Sequence, residues 1–287
     1  MAAVGTTLAP AATPDAAGRA CAPRAVGAVA WTRWTARLLS LAACVLLWHW
    51  ASTTRANFGL VSFANLPPPA DVTRAALDLL QSPKLLHHLS YSLWRVAAGF
   101  AAAAALGIAL GLLIGRFRWA EATLLPPLEV LRPIPAVAWI PLAILMFPSS
   151  ELSMIFITFT GALFPILLNT VHGVEGVDAR LVASARSLGT RHWQVVSEVV
   201  LPAAAPSIAT GLSIGMGTCW FCLVSAEMIS GQFGIGYYTW ESYTLQNYEG
   251  IVVGMLWIGL FGMGSSALIR GAARLAMPWY RPGGRSA

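Results

Sequence analysis

Between residues 38 and 275 the sequence falls into long apolar runs separated by short polar stretches, and that alternation constrains the fold more than any motif does. Inside hydrocarbon a backbone amide has no water to bond, so such a run is stable there only as a helix closing its own hydrogen bonds. Six runs read as spans: 38–52, 90–115, 124–147, 152–171, 205–229 and 251–275. The first is short for a crossing, so its helix is expected to extend beyond the run at one end, as a signal anchor and not a cleaved signal. Of the 287 residues 57% are hydrophobic and only 10% charged, with a mean hydropathy of +0.66. The expected class is an all-α polytopic membrane protein of about six transmembrane helices.

The net charge of +6 does not point to nucleic acid, because the basic residues sit at the edges of apolar runs and not on one stripe with interleaved aromatics. They report topology instead. Arg33 and Arg37 precede the first run, Arg116 and Arg118 follow the second, and Arg270, Arg274, Arg281 and Arg285 close the chain. With the N-terminus inside, six spans place all of these, and the polar stretch 173–202, on the cytoplasmic side. The outer loops after the third and fifth runs hold no Lys or Arg; the first outer segment, with Arg55, Arg74 and Lys84, is the exception. The expected organisation is a disordered cytoplasmic tail over 1–30, a membrane domain over 31–279 with an outer segment at 53–89, and a cytoplasmic tail over 280–287. Cys21 reads as an ordinary tail cysteine, since no apolar segment precedes it. In the outer segment Pro67, Pro68 and Pro69 make a stiff turn. Asp71 is the expected N-cap of a short helix whose inner face carries Val72, Ala76, Leu79 and Leu80. His87 and His88 point different ways on a helix and lack a third ligand nearby, which favours interfacial polar roles over metal binding.

The second run, rich in Ala and Gly, lets helices approach closely and is expected inside the bundle. The third contains Pro126, Pro127, Pro133, Pro135 and Pro141, enough to kink or break a helix. Broken helices at membrane depth survive where they are buried in protein or line a cavity, so this run is the first candidate for a pathway wall. Four charges lie in or near spans: Arg95, Glu129, Arg132 and Glu227. Such groups either pair with one another, snorkel to the interface or serve function. Candidate pathway or gating residues are Glu129, Arg132, Pro133, Pro135 and Glu227. Cys219 and Cys222 share one helical face with Met216 a turn earlier, yet a lone C-x-x-C without histidines is a weak metal signal, and packing is the favoured role. Neither a nucleophile beside a base and an acid nor a G-x-x-x-x-G-K-[ST] loop occurs, so no catalytic residue, metal or cofactor is expected in this chain.

The stretch from Gly173 to Pro202 is the longest charged segment of the second half. At helical period Leu181, Ala185 and Leu188 share a face, Gly189 breaks the run, and Trp193, Val196 and Val200 form a second short helix closed by Pro202. With Arg180, Arg186 and Arg191 at its flank, this elbow has the chemistry of a plug for another protein's groove; the plainer reading is a solvated loop. Ala183-Ser184-Ala185, then Gly189, then Val199, Leu201 and Pro202 resembles the coupling (EAA) loop of ABC importer permeases, with Ala183 standing where that family often has Glu. The segments LRPIPAVAWIPLAIL and VSAEMISGQFGIGY resemble the nitrate, sulfonate and taurine branch of those permeases. The resemblance implies a fold like that of type I importer permeases, in a bacterial inner membrane, with both termini cytoplasmic. It implies docking to a separate ATPase through Ala183, Ser184, Ala185, Arg186, Leu188, Gly189, Trp193, Leu201 and Pro202. The implied partners are two ATPase subunits that bind ATP and magnesium, a periplasmic solute-binding protein and a second permease copy forming a homodimer. The implied cargo is a small anion such as a sulfonate, taurine or nitrate. An ion-gradient-driven transporter and a non-transporting scaffold are the alternatives; internal repeats and an acidic relay would favour the first.

Overall fold

The computed structural model describes residues 26–59, 62–230 and 233–280, with side chains from residue 34 onward. Eleven α-helices lie among them. In order they are α1 (Val26–Thr53), α2 (Pro69–Gln81), α3 (Pro83–Arg116), α4 (Arg118–Leu131), α5 (Ile140–Met146) and α6 (Ser150–Glu175). After these come α7 (Ala179–Ser187), α8 (His192–Val195), α9 (Leu201–Ser230), α10 (Ile235–Thr244) and α11 (Tyr248–Ala276). The chain divides into two units, Met1–Ala51 and Ser52–Ala287. The first unit holds most of α1, which extends the run 38–52 on its N-terminal side. Residues 1–25 and 281–287, which make up most of the two expected tails and include Cys21, lie outside the described residues.

In the second unit four helices are long and apolar enough to cross a membrane: α3, α6, α11 and a continuous helix from His192 to Ser230. A fifth crossing is formed if α4 and the segment Ala136–Met146 count together, although they meet at 82°. The described residues therefore carry four or five such helices, where about six spans were expected. The prolines explain the bend, though not all of them act. Pro126 and Pro127 sit inside α4 without ending it. The chain leaves the helix only at Pro133, which has no N–H to continue the ladder, and Pro135, whose ψ of 134° turns the backbone outward before a short 3₁₀ turn leads into α5.

The centre of the bundle is α6, not α3. The Ala- and Gly-rich helix α3 lays one stripe of small residues, Gly99, Ala103, Gly107, Gly111 and Gly115, along α6 at four-residue spacing. A Cβ on Gly99, Gly111 or Gly115 would stand only 2.8, 2.5 and 2.8 Å from the Cβ of Thr158, Thr170 and Val174 respectively. The opposite face of α3 is turned outward, with Leu93, Trp94 and Leu106 exposed. On its opposite flank α6 meets α9 in the same way, through Gly161 and Gly173 on one helix and Gly211 and Gly215 on the other. Two hydroxyls tie this second contact: Ser207 donates to the Asn169 carbonyl and Thr218 to the Gly161 carbonyl, both at 2.8 Å. The second bond has a local cause. Pro165 lies four residues after Gly161 and cannot donate to its carbonyl, so α9 supplies the missing donor.

Cys219 and Cys222 are buried within these contacts, Cys222 against Gly161 and Cys219 with its Sγ 4.0 Å from the Val96 carbonyl. α11 joins α9 through Trp220, whose Nε1 donates to Ser265 Oγ at 2.9 Å and whose ring stacks on Phe261. α2 starts at Pro69 with Pro68 as its cap, so Asp71 is a first-turn acid bonded to Arg74 and not the N-cap expected. Of its expected inner face Val72 and Leu79 are buried, Ala76 is half-buried and Leu80 is exposed.

Replacing Gly111 by Val should lower the stability of the detergent-purified protein by about 1–3 kcal/mol, because Thr170 and the Leu167 carbonyl cannot both retreat. Gly217, with open space around it, should accept Ala with no loss. Reversible unfolding of the two variants in mixed micelles checks the contrast.

Candidate functional site

Two polar constructions interrupt the apolar bundle, one at each end of α6 and α9. At one end α6 leads through Asp178 into α7, and the Asp178 side chain caps it by accepting from the Arg180 N–H at 2.9 Å. The chain then reverses at Gly189, whose φ of +80° is the left-handed conformation that favours glycine. Thr190 Oγ1 holds the turn by donating to the Ala185 carbonyl at 2.7 Å, and the Gln194 side chain accepts from the Arg191 N–H at 2.9 Å to start α8. The elbow's inner face, Val182 and Ala185, packs on Val174, Val195 and Val200. Its outer face is apolar and open: Leu181 is 54% exposed, Trp193 76% and Leu188 85%.

The expected shape of the elbow holds up to Gly189 and differs after it. Pro202 does not close the second helix. From α8 the backbone passes through one π-helical turn, Val196–Val200, and enters α9 directly. The Leu201 N–H bonds the Val196 carbonyl five residues back, and Pro202 falls where the ladder returns to ordinary spacing. A residue without an N–H is tolerated at that switch. Ala183, Ser184, Arg186, Leu188, Trp193 and Leu201 are exposed, as is Gly189, whereas Ala185 and Pro202 are half-buried.

At the other end stands a buried charge cluster. Arg95 on α3 has no exposed surface, and neither has Glu227 near the end of α9. Arg95 Nη1 donates to Glu227 Oε1 at 2.9 Å, and its Nε donates to Glu151 Oε2 at 2.9 Å. Arg95 Nη2 pairs with Glu151 Oε1, and Nη1 also donates to the Phe233 carbonyl. Glu227 is further held by Ser92, whose hydroxyl donates to Oε1 at 2.8 Å, and by the Gly236 N–H, which donates to Oε2 at 2.9 Å. Ser92 in turn accepts from the Ile235 N–H at 2.9 Å. The two carboxylates thus share one guanidinium, and Glu227 also meets the positive end of α10. Gly234, at φ +143°, lies so close that a Cβ there would overlap the Glu227 carboxylate. His88 Nδ1 accepts from the Gly234 N–H at 3.1 Å, while His87 packs its ring edge on Phe233.

The candidate pathway residues are not brought together. Glu227 lies in the cluster, while Glu129, Arg132, Pro133 and Pro135 are exposed at the bend between α4 and α5. Glu129 and Arg132 form no ion pair; the three among the described residues are Arg74–Asp71, Arg95–Glu151 and Arg95–Glu227. Sequence reasoning singled out Arg95 and Glu227 but missed Glu151 and Ser92. A signal existed: α3 and α6 run antiparallel to α9, so residues early in the first two and late in the third share one depth. The described residues contain no group of three or more His, Cys, Asp or Glu able to hold a metal ion.

Residues 106–282 match the family model described as the inner membrane component of binding-protein-dependent transport systems. A protein of Methanocaldococcus jannaschii named as an ABC transporter permease is 42% identical over 186 residues, 64% of this chain and 70% of that one. One of Bacillus subtilis named as an aliphatic sulfonates transport permease is 33% identical over 246 residues, 86% of this chain and 88% of the relative. A nitrate import permease of Synechocystis is 37% identical over 209 residues, 70% and 76% of the two chains.

Truncating Glu227 to Ala leaves a buried guanidinium short of a partner and strands the Gly236 N–H, at an expected cost of about 3–5 kcal/mol. The double replacement Arg95→Met with Glu227→Met should cost less than the sum of the two single changes. A double-mutant cycle on unfolding in micelles measures this; additive costs would mean that the two side chains are not coupled.

Proposed function

Because this chain belongs to the family of inner membrane components of binding-protein-dependent transport systems, and is therefore a permease subunit of the ABC importer type, we propose that it translocates a small anion of the sulfonate, taurine or nitrate class. The anion class is supported by relatives named as sulfonate and nitrate permeases. The proposed setting is a bacterial inner membrane, with the elbow and both termini cytoplasmic. Two copies of the chain form the pore, two ATPase subunits sit on the elbows, and a periplasmic binding protein delivers the solute to the opposite face. ATP and magnesium belong to the ATPase.

The observation that carries the docking reading is the exposed apolar face of the elbow, Leu181, Leu188 and Trp193, on the segment that joins α6 to α9. Such a surface gains by entering a partner's groove. Ala183, in the position of the acid often found in this family, leaves that contact apolar. Movement of the elbow is transmitted because α6 enters it and α9 leaves it with no flexible linker on the α9 side. Both helices reach the Arg95 cluster at their far ends. In this mechanism the elbow is the two-state link, and the bent segment around Arg132, Pro133 and Pro135, with Glu129 beside it, moves against α9 as access alternates.

Solute-stimulated ATP hydrolysis, measured on this chain co-purified with the ATPase and binding protein encoded beside it, tests the proposal against nitrate, sulfonates and taurine. Stimulation by one of them is expected. Leu188→Asp and Trp193→Asp change only exposed surface and should abolish it while the protein stays inserted; Gly189→Trp should do the same. Ala185→Glu is a poorer probe, since Ala185 packs on the elbow's own core. Full stimulation in both Asp variants would reject this docking face, and failure to capture any ATPase would reject the importer mechanism.

A further inference from the structure

At the elbow end of the bundle a groove of about 390 Å³ opens between the end of α3 and the segment where α8 runs into α9. Its wall changes character with depth. Ala109, Leu112 and Leu113 on α3, with Val196 and Val200 from the other side, are apolar, whereas Arg116, Phe117, His192 and Trp193 form the mouth. α3 runs toward the elbow and α8 starts the chain's return from it, so all four mouth residues lie at the elbow end of the groove. Arg116 stands seven residues beyond Ala109, about 10 Å along a helix. No acid is in the wall.

The guanidinium at this mouth lacks an acceptor. Arg116 is half-buried, yet among the described residues it makes no ion pair and no side-chain hydrogen bond. Its guanidinium carbon lies over the Phe117 ring, 5.8 Å from the centre. That contact uses the face of the group and leaves its in-plane N–H fork open, the geometry that an oxyanion matches. His192 supplies a further ring N–H. Arg118 and Arg191, next in sequence to Phe117 and His192, are exposed and in no ion pair among the described residues. α3 is long and apolar enough to cross a bilayer, and its apolar run ends at Gly115. Ala109 and Leu112 therefore lie among acyl chains while Arg116 stands at headgroup level. Trp119 and Trp193, exposed at the same end, are the residue type that collects in that layer.

We propose that this groove binds one anionic phospholipid, its phosphate on Arg116 and His192 and an acyl chain laid along Leu113, Leu112 and Ala109 toward the middle of the bilayer. Head and tail then follow the depth order of the wall. A soluble partner could reach Arg116 but not Ala109, which lies two turns inside the apolar run. A free phosphate would satisfy the arginine and leave the apolar wall without contacts. A zwitterionic lipid brings its own ammonium among Arg116, Arg118 and Arg191, so the groove selects headgroups of net negative charge. The bound lipid bridges α3 to the segment that carries the elbow into α9, and the site does not depend on which solute is transported. Trp193 belongs both to the mouth and to the docking face, so the tests leave it unchanged.

Native mass spectrometry on the full-length, delipidated protein, titrated with phosphatidylglycerol, phosphatidylcholine or inorganic phosphate, tests the proposal. The first phosphatidylglycerol should bind about fivefold tighter than the first phosphatidylcholine, and Arg116→Gln should erase most of that preference. Arg116→Lys keeps the charge and should retain it, which separates recognition from misfolding. Arg118→Gln removes a charge at the same end but outside the wall and should leave the preference in place. Ala109→Trp, filling the deep end of the groove, should weaken phosphatidylglycerol binding with Arg116 intact. Equal binding of the two lipids, a preference unchanged by Arg116→Gln or lost as fully in Arg118→Gln, or phosphate adducts as stable as those of phosphatidylglycerol would each overturn the proposal. So would full lipid binding in Ala109→Trp; if that variant also turns a dimer into a monomer, the groove belongs to a second copy.

Discussion

A guanidinium without exposed surface must be fully paired or the fold around it is not stable, and Arg95 imposes that condition on four elements at once. Its donors reach Glu151 on α6, Glu227 on α9 and the carbonyl of Phe233 just ahead of α10. Each partner comes from a different segment, so none of these helices can slide or rotate without leaving charge unpaired in a medium that cannot solvate it. The cluster specifies the depth of α3, α6 and α9 relative to one another. It also seats α10, through Gly236 and Ile235, on the end of the bundle.

Between the two polar ends the apolar helices offer little that is directional, and close approach takes over. Glycines on α3 and α9 bring both helices against the backbone of α6, and the hydroxyls of Ser207 and Thr218 bond its carbonyls. In a lipid environment, where apolar burial gives no preference for protein over acyl chain, contact area and such hydrogen bonds are what hold helices together. The same tight packing makes α6 and α9 stiff connections between elbow and cluster. The broken segment α4–α5 makes none of these glycine contacts; α5 instead packs on α6 through Ile140 and Ala143, whose carbonyl accepts from Ser153 Oγ at 3.0 Å.

Much of the elbow was legible because helix period, a glycine at the reversal and a following apolar run are local signals. Its continuation past Pro202 was not, since the π turn that accommodates that proline depends on how Val200 and Ala204 bury against Val174 and Ile208. The bend at Pro133 and Pro135 could be read from proline chemistry, but Pro126 and Pro127 carried the same local signal and left α4 unbroken. The charge cluster was half legible. Arg95 and Glu227 stand out inside apolar runs, whereas Glu151 opens a helix, where an acid is unremarkable by itself.

By itself the sequence determined the class of the protein, the positions of the apolar helices, the break after α4 and the family resemblance of the elbow, all properties that follow from solvation and backbone chemistry within a short window. Tertiary structure alone decided that α6 and not α3 is the central helix, that Arg95 is shared by two carboxylates, and that the elbow turns Ala185 inward while Leu188 and Trp193 face out. These depend on which surfaces meet. Residues 56 and 132 positions apart become partners only when three helices are brought to the same depth, and no local preference encodes that depth.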